Sequence, residues 1–254
     1  MARITAIANQ KGGVGKTSTA HALVTGLTHK GYRALAVDVD PQGNLSYCMN
    51  ADENKPGVYE LLGGDIIAPN AVQNTEQGAI ICSSHMLTGA DLVFTDKGRE
   101  YLLSEAMAPF RAVYDYIVID TPPTLGILTI NALTAANDII IPMGADIFSL
   151  QGLSQLYNTI GKVKRRCNTS LHIAGLLITR YSGRAILSKE LRETISEKAQ
   201  QLDTKLYSTV IREGIAVKEA HTGQVSLFKS LLKSKPAIDY LNFTDEYLKG
   251  NGYA

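Results

Sequence analysis

The segment at residues 10–18 combines glycines, a lysine and a hydroxyl side chain in an arrangement suited to binding phosphate. It reads Gln-Lys-Gly-Gly-Val-Gly-Lys-Thr-Ser and lies between an apolar strand pattern and a helix pattern. Glycines let the backbone approach phosphate oxygens and point successive N–H groups at them, and the N-terminus of the next helix favours negative charge. Lys16 would bridge the β- and γ-phosphates of a nucleoside triphosphate, and the Thr17 hydroxyl would coordinate Mg²⁺. The residues expected to contact the nucleotide are Lys11, Gly12, Gly13, Val14, Gly15, Lys16, Thr17 and Ser18.

The loop departs from the common pattern G-x-x-x-x-G-K-[ST] at its first position. Gln10 stands where the first glycine is usual, and a second lysine, Lys11, precedes the glycines. A cation at this point has little to satisfy its charge in an empty site, so its natural partner is a phosphate of its own nucleotide or of a neighbouring subunit's. A dinucleotide fingerprint is disfavoured, because the third residue after Gly15 is Ser18 and not glycine.

Carboxylates follow two of the apolar strand patterns. Asp38 and Asp40 begin the segment Asp-Val-Asp-Pro-Gln-Gly-Asn, and Asp120 ends the run Tyr-Ile-Val-Ile-Asp. Ligand crevices in open α/β sheets lie outside the carboxyl ends of the strands, so these side chains are expected to face the phosphate loop and to act there on a magnesium-bound phosphate. The alternative is structural: Asp38 and Asp40 as turn-formers, and Asp120 as a helix cap.

Hydrophobic runs and chain breakers predict the elements that position these residues. Strands are predicted at 3–8, 33–37, 116–119, 138–142, 172–179 and 205–211, and helices at 16–30, 125–136, 150–166, 186–201, 216–221 and 237–248. The predicted strands between residues 3 and 179 carry no polar alternation, and runs such as Tyr-Ile-Val-Ile and Ile-Ile-Ile are what a parallel sheet covered by helices on both faces requires. We therefore predict a doubly wound α/β fold with a mostly parallel sheet, formed by one domain over residues 1–254.

Composition and charge limit the classes of protein that fit. The chain has 254 residues, an apolar fraction of 45% and a net charge of +1, and its cysteines and histidines show no spacing typical of a metal site. No apolar stretch approaches the ~20 residues of a membrane span, which predicts a cytoplasmic protein. Residues 162–235 hold fifteen Lys and Arg against six Asp and Glu. Such a basic segment is expected to bind nucleic acid or anionic lipid, or else to be a solvated surface.

The loop K-G-G-x-G-K-[ST], the segment D-x-D-P-Q-G-N and the strand that ends at Asp120 resemble the ParA/MinD family of P-loop ATPases. The resemblance covers nearly the whole chain and implies ATP and Mg²⁺ as ligands. It assigns to Lys11 a reach across a homodimer interface to the partner's nucleotide, and to Asp40 the positioning of the attacking water. Lys11, Lys16 and Asp40 are thus the expected catalytic residues, and Thr17, Asp40 and Asp120 the expected magnesium-site residues. Thr121-Pro122-Pro123 is similar to the family's switch segment.

Within the family, the chain is most similar to the small, Soj-like ParA proteins. The first strand pattern starts at Arg3, without a preceding helix-turn-helix, and the last residues lack the basic amphipathic face of MinD-like membrane anchors. The resemblance implies slow ATP hydrolysis stimulated by a ParB-like partner, non-specific DNA binding by the ATP-bound dimer and a place on the nucleoid, with membrane binding disfavoured. The expected DNA-binding residues are Arg184, Lys189, Lys218, Lys229, Lys233 and Lys235.

Three questions stay open from sequence. The family often has Ile-Pro-Arg where this chain has Ile211-Arg212-Glu213, so Arg212 is expected either to stack on the purine or to extend a DNA-binding face. A MinD-like positioning protein acting on a membrane or other cargo is the first alternative function. A metabolic P-loop enzyme, such as an amidoligase or a small-molecule kinase, is the second.

Overall fold

The structure, a computed structural model, describes residues 1–182, 187–201 and 203–250, without the side chains at 147, 148, 150, 151, 187–191 and 230. Within these residues one sheet of eight strands has the order β3-β4-β2-β5-β1-β6-β7-β8. The strands are β1 (Arg3–Ile7), β2 (Ala34–Asp38), β3 (Val72–Thr75), β4 (Gly78–Ile81), β5 (Tyr116–Asp120), β6 (Asp138–Gly144), β7 (His172–Tyr181) and β8 (Leu206–Arg212). All neighbouring strands pair in parallel except β3 and β4.

Helices cover both faces of this sheet. The described α-helices are α1 (Lys16–His29), α2 (Asn44–Cys48), α3 (Val58–Gly63), α4 (Ala90–Val93), α5 (Leu102–Met107), α6 (Ile127–Ala135), α7 (Ile147–Arg166), α8 (Leu187–Gln201), α9 (Ile215–Thr222), α10 (Leu227–Ser230) and α11 (Lys235–Gly250). Short 3₁₀ turns lie at Ala68–Ala71, His85–Gly89, Arg99–Tyr101 and Ala108–Ala112. No helix within the described residues is both long and apolar enough to cross a bilayer.

Successive residues of each central strand enter two separate cores. Ile4 and Ala6 of β1 pack with α3 and α5 to α8, whereas Ile7 packs on the opposite face with α1, α2 and α9 to α11. Side chains of a strand alternate between the faces of a sheet, so a strand covered on both sides must be apolar at every position. This double burial explains the continuous apolar runs, and the predicted doubly wound, mostly parallel fold is confirmed.

Between β2 and β5 the sequence predicts only a Gly- and Asn-rich connection with short elements, without assigning any of them as a strand. An antiparallel hairpin of β3 and β4 lies there and adds two strands at the edge of the sheet, with β4 parallel to β2. Each strand has only four residues, and β3 contains the polar pair Gln73 and Asn74. A short, half-polar edge strand leaves little of the hydrophobic pattern by which strands are recognised in a sequence.

Candidate functional site

The phosphate loop joins β1 to α1 and leaves the N-terminus of α1 open for an anion. Gly13 and Gly15 have φ values of 72° and 80°, a left-handed conformation that glycine adopts without strain. Gly15 caps α1 and has no side chain to accept the first helical N–H groups. These donors are unsatisfied at any helix start and point at whatever lies before it. The predicted glycine positions therefore form an open cradle.

The end of β7 holds the loop from behind. Thr179 donates its hydroxyl hydrogen to the Val14 carbonyl at 2.8 Å, and the Nη1 of Arg180 donates to the Gly13 carbonyl at 3.0 Å. Both contacts pull carbonyl oxygens away from the cavity, so the loop N–H groups remain directed into it. Sequence reasoning missed both residues, because they follow the glycines by about 165 positions and carry no recognisable motif.

Lys16 is buried in front of the loop, with 7% of its surface exposed. Burial lowers the pKa of its ammonium group, and the nearby carboxylates of Asp120 and Asp40 oppose that shift. Its Nζ lies 3.4 Å from the Lys11 carbonyl oxygen. Lys16 is thus the cation of a desolvated, acidic cluster, as expected of a lysine that contacts bound phosphate.

Three carboxylates meet at the carboxyl ends of β2 and β5. Asp38 and Asp120 are paired neighbours in the sheet, and both are fully buried, while Asp40 is 6% exposed. Asp38 accepts hydrogen bonds at 2.8 Å from both the N–H and the hydroxyl of Ser46. Asp40 accepts one at 3.1 Å from the Gln42 N–H. The structure thus brings together the acidic residues that the sequence singled out, and Asp38 and Asp40 also form the turn contacts of the alternative reading.

Asp120 has no comparable support. Both of its carboxylate oxygens are buried and accept no hydrogen bond from the described residues. Burial raises the pKa of Asp120 well above its ordinary value, and the adjacent Asp38 raises it further, while Thr17 and Lys16 act in the opposite direction. A buried carboxylate without a donor is costly unless a cation or a ligand satisfies it. Oxygen donors beside a phosphate cradle are the ligands that Mg²⁺ prefers, so the residues present fit a magnesium ion.

The loop and Asp40 border a cavity of about 680 Å³. That volume lies within the range of small-molecule sites. Its lining includes Lys16, Thr17, Ser18 and Asp40, and also Arg180, Arg212 and Lys218. The cavity can therefore hold a nucleotide, with its phosphates at the loop.

Lys11 has a partner within its own chain, contrary to the expectation of an unsatisfied cation. Its Nζ donates to both oxygens of Asp146, at 2.8 and 2.9 Å, and to the Ser149 hydroxyl at 3.2 Å. Asp146 is also the N-cap of α7 and accepts from the Ser149 N–H at 3.0 Å. Partial burial alone would raise the pKa of Asp146, but the hydrogen bonds from Lys11 and Ser149 hold it below its ordinary value. The sequence gave no sign of this pair, since its members are 135 positions apart.

Arg212 lies in the cavity wall and is fixed by a neighbour. Its Nη2 and Nε donate to the two oxygens of Asp239 at 2.6 and 2.8 Å, and its backbone N–H bonds the same carboxylate at 2.9 Å. Asp239 belongs to α11 and is 6% exposed. The structure thus places Arg212 together with Lys218 in the lining of the cavity, and both roles left open by the sequence remain predictions.

The predicted DNA-binding residues do not form one described cluster. Arg184 lies outside the described residues, and Lys189 belongs to α8 with its side chain also outside them. Lys218 of α9 is exposed and borders the cavity, and Lys229 of α10 pairs with Glu76 at 3.1 Å. The exposed residues Lys233 and Lys235 lie just before and at the start of α11.

Comparisons with known proteins agree with this geometry. A family model described as an AAA domain matches residues 2–173. The chain is 38% identical over 256 residues to the sporulation initiation inhibitor protein Soj of Bacillus subtilis, a match that covers 97% of this chain and 98% of Soj. The chain belongs to the ParA/Soj family. The resemblance noted from the sequence is thereby confirmed, and with it the P-loop NTPase class of the fold.

Solved structures of similar proteins contain nucleotides. The cobyrinic acid a,c-diamide synthase of Mycobacterium smegmatis, solved with an ATP analogue and magnesium, is 33% identical with a TM-score of 0.87, over 99% of this chain and 96% of that one. A putative plasmid partition protein of Borrelia burgdorferi bound to AMPPNP is 26% identical with a TM-score of 0.77, and the match covers 98% of each chain. Proteins that are similar to this chain in sequence and fold therefore bind ATP analogues, in one case together with magnesium.

Proposed function

We propose that this protein is an ATP-dependent dimerising switch for the segregation of DNA, such as a chromosome, a plasmid or a mobile element. The observation that carries the proposal is the meeting of an open phosphate cradle with Lys16 and the unsatisfied carboxylate of Asp120. Beside a phosphate cradle, a buried cation and a buried carboxylate that accepts no hydrogen bond from the described residues are costly in an empty protein and favourable around a metal-bound triphosphate.

The residues at the cradle divide the work of binding. The loop N–H groups and Lys16 hold the phosphate oxygens, and the Thr17 hydroxyl and the Asp120 carboxylate hold Mg²⁺, with Asp120 acting through water. The magnesium ion supplies charge neutralisation on the phosphates. Ser18 lines the same cavity and adds a phosphate contact. ATP is the proposed nucleotide, and Arg212, held flat by Asp239, lies against its purine.

Asp40 is the proposed hydrolytic residue. It borders the cavity together with the phosphate loop, and the turn contact from Gln42 fixes its carboxylate. Water attack on a phosphoryl group needs mainly positioning and charge neutralisation, so a carboxylate that orients the water suffices without a covalent intermediate. A single positioning carboxylate is consistent with slow intrinsic turnover that a ParB-like partner stimulates.

Lys11 is the proposed contact between subunits. In the ATP-bound homodimer it reaches the partner's nucleotide, which requires it to exchange Asp146 and Ser149 for phosphate oxygens. An ammonium group that already has three hydrogen bonds gains little from a single phosphate oxygen. Dimerisation is therefore expected only when a complete triphosphate is present, and this requirement would make the protein a switch.

DNA is the proposed surface on which the dimer acts. Lys218, Lys233 and Lys235 supply exposed cations on α9, α11 and the segment between them, and a dimer doubles their number. Arg184, Lys189 and Lys229 complete the predicted set. We infer a single domain over 1–254 that works in the cytoplasm on the nucleoid.

Substitution of Asp40 tests the hydrolytic role. Asp40→Ala is expected to keep ATP binding and ATP-dependent dimerisation and to lower turnover by about a hundredfold or more, a typical effect of losing a positioned proton acceptor. Phosphate release and sedimentation of the same samples measure the two properties. Asp65→Asn, which removes an exposed carboxylate remote from the cavity, is the control. Undiminished turnover by Asp40→Ala would remove this residue from the mechanism.

A DNA-binding series tests the switch. Anisotropy of a labelled duplex of mixed sequence is measured with ATP, with ADP and without nucleotide at several salt concentrations. The proposal expects tight, salt-sensitive binding only with ATP, since counterion release scales with the number of cations that a dimer presents. Equal binding in all three states would contradict an ATP-controlled switch.

The similarity to the cobyrinic acid a,c-diamide synthase of Mycobacterium smegmatis favours a second candidate, ATP-dependent amide synthesis. Such an enzyme consumes ATP only when a carboxylic acid acceptor and an ammonia donor are present. Stimulation of ADP release by a corrinoid acid with glutamine, and not by DNA with a ParB-like protein, would favour this candidate. Binding to anionic vesicles in preference to DNA would favour the MinD-like alternative.

A further inference from the structure

The last turns of α7 carry cations that the site described above does not use. Lys162, Lys164, Arg165 and Arg166 are all exposed. None of the four forms an ion pair with a described acidic residue, and α7 itself contains no aspartate or glutamate. We define Lys162, Arg165 and Arg166 as the α7 cluster. We propose that the α7 cluster is a second binding surface for the phosphates of duplex DNA, separate from the surface formed by α9 to α11.

The packing of α7 fixes the direction of these side chains. Leu153, Leu156, Ile160 and Val163 are buried and form one apolar stripe along the helix. Residues three and four positions apart share a face of a helix, so Lys162, Arg165 and Arg166 lie together on the side away from this stripe. Lys164 lies at the flank of the same end.

Hydrogen bonds hold this end of the helix in place. The side-chain amide of Asn168, two residues beyond α7, donates to the carbonyl oxygens of Leu133, Thr134 and Ala136 at 3.1, 3.0 and 2.7 Å. The Tyr101 hydroxyl donates to the Arg166 carbonyl at 3.3 Å. The backbone under the α7 cluster is therefore anchored, and DNA binding there would not have to order it first.

Helix stability accounts for the α7 cluster only in part. Cations in a last turn interact favourably with the helix dipole. However, Lys162 repels both Arg165 and Arg166, since like charges three and four residues apart destabilise a helix. A ligand with closely spaced negative charges relieves this repulsion, and duplex DNA offers one phosphate per ~1.7 Å of its axis.

The neighbouring surface favours DNA over a membrane. Binding at a lipid interface needs bulky apolar side chains beside the cations. No large apolar side chain is exposed between residues 152 and 166. The α7 cluster thus has the charge for a phosphate backbone and lacks the apolar residues for insertion into a bilayer.

The α7 cluster is far from the nucleotide. Asp146, the residue before α7, contacts the phosphate loop. From there the helix runs for 20 residues, or about 30 Å, back toward the amino ends of the parallel strands β6 and β7. Helix α7 also packs on the face of the sheet opposite to the face that is covered by α9, α10 and α11. Occupancy of the cavity does not alter its charges, so one α7 cluster is expected to bind DNA weakly in the monomer, while tight binding requires the avidity of the ATP-bound dimer.

The inference rests on the proposed function only in taking DNA as the partner, and charge substitutions test it separately. The test variant carries Lys162→Gln, Arg165→Gln and Arg166→Gln. The matched control carries Lys55→Gln, Lys97→Gln and Lys249→Gln, which remove the same charge at exposed sites elsewhere without breaking a described ion pair. A third variant carries Lys218→Gln, Lys233→Gln and Lys235→Gln. Anisotropy of a labelled duplex over a salt series is measured with and without ATP, and ATP binding checks folding.

The test variant is expected to bind DNA about tenfold more weakly, with the slope of log affinity against log salt reduced by up to about 2.7, while the control matches the unsubstituted protein. If DNA binding is independent of ATP and is lost only in the test variant, the α7 cluster is supported as a DNA-binding surface and the ATP-controlled switch is contradicted. If DNA binding depends on ATP and is lost only in the third variant, the switch is supported and the proposal for the α7 cluster is wrong. If the test variant loses binding to anionic vesicles while its DNA binding is unchanged, the α7 cluster binds a lipid surface and the proposal that it binds DNA is wrong.

Discussion

The two lysines of the phosphate loop lie in opposite environments. Lys16 is buried beside carboxylates, one of which, Asp120, accepts no hydrogen bond from the described residues. Lys11 is over one-third exposed, with two oxygens of Asp146 and the Ser149 hydroxyl as its partners. The first region is incomplete without a ligand, and the second is complete without one. Binding at Lys16 therefore satisfies unmet charge, whereas action by Lys11 requires an existing contact to be broken.

Removal of each lysine in turn tests this contrast and has the largest expected effect. Lys16→Ala is expected to weaken ATP binding by about a hundredfold or more, because charge-assisted bonds to phosphate are lost. Lys11→Ala is expected to leave the affinity of the monomer nearly unchanged, since Lys11 is paired elsewhere. Equilibrium binding of a fluorescent ATP analogue measures both. Similar losses in the two variants would contradict the division between them.

The pH dependence of stability tests the unsatisfied charge. Burial raises the pKa of both Asp38 and Asp120 above the ordinary value of 3.8. As pH rises above that value, the unfolded chain releases protons that the native state retains, so the free energy of unfolding of the empty protein falls, by at most about 1.4 kcal/mol per pH unit for each proton. The stability contributed by these groups is thus present at acidic pH and lost as pH passes through their raised pKa values.

Asp120→Asn is expected to flatten this fall and to raise the melting temperature at pH 8, because the amide cannot ionise. The same variant is expected to gain less stability from ATP with magnesium than the unsubstituted protein does. Thermal unfolding from pH 4 to pH 8 measures both effects, with Asp65→Asn at an exposed position as the control. A variant with an unchanged pH profile would show that Asp120 does not carry the unmet charge.

The smallest expected effect concerns the contact at Lys11. Asp146→Asn removes the charge but keeps a good helix cap, so α7 is expected to remain intact. Because a partly exposed ion pair contributes about 1 kcal/mol or less, the change is expected to strengthen ATP-dependent dimerisation by up to about fivefold. Sedimentation with a non-hydrolysable ATP analogue measures it.

Asp245→Asn is the matched control for this experiment, since it breaks the pair between Lys30, just after α1, and Asp245 of α11, a 2.6 Å contact of similar exposure. Weaker dimerisation by Asp146→Asn would show that Asp146 supports the contact between subunits instead of restraining Lys11.

The sequence predicted the parts of the fold that depend on strong local patterns. Continuous apolar runs marked β1, β2 and β5 to β7, since these strands are buried on both faces, and the glycines marked the loop. The edge strand β8 was also predicted, although it is only partly buried and contains Ser208 and Thr209. Asp38, Asp40 and Asp120 were found because strands ending in acids meet at one edge of a parallel sheet. Their assigned roles, and the single domain, remain predictions.

The missed features depend on contacts between distant parts of the chain. The partner of Lys11 lies in α7, and the support for the loop carbonyls comes from Thr179 and Arg180 of β7. A sequence shows that Asp146 suits a helix start, but not which lysine the folded chain brings beside it. The hairpin of β3 and β4 was missed for another reason, because its edge strands are short and partly polar.

The double contact made by Asp146 has a consequence for how this protein tolerates mutation. Asparagine, serine and threonine also cap helices well, so replacement by any of them would leave the protein folded. Of these good caps, only aspartate also carries the charge that restrains Lys11. Drift at this one position would therefore change the threshold for dimerisation without a loss of fold, and related proteins could be tuned to different nucleotide levels by a single-residue change.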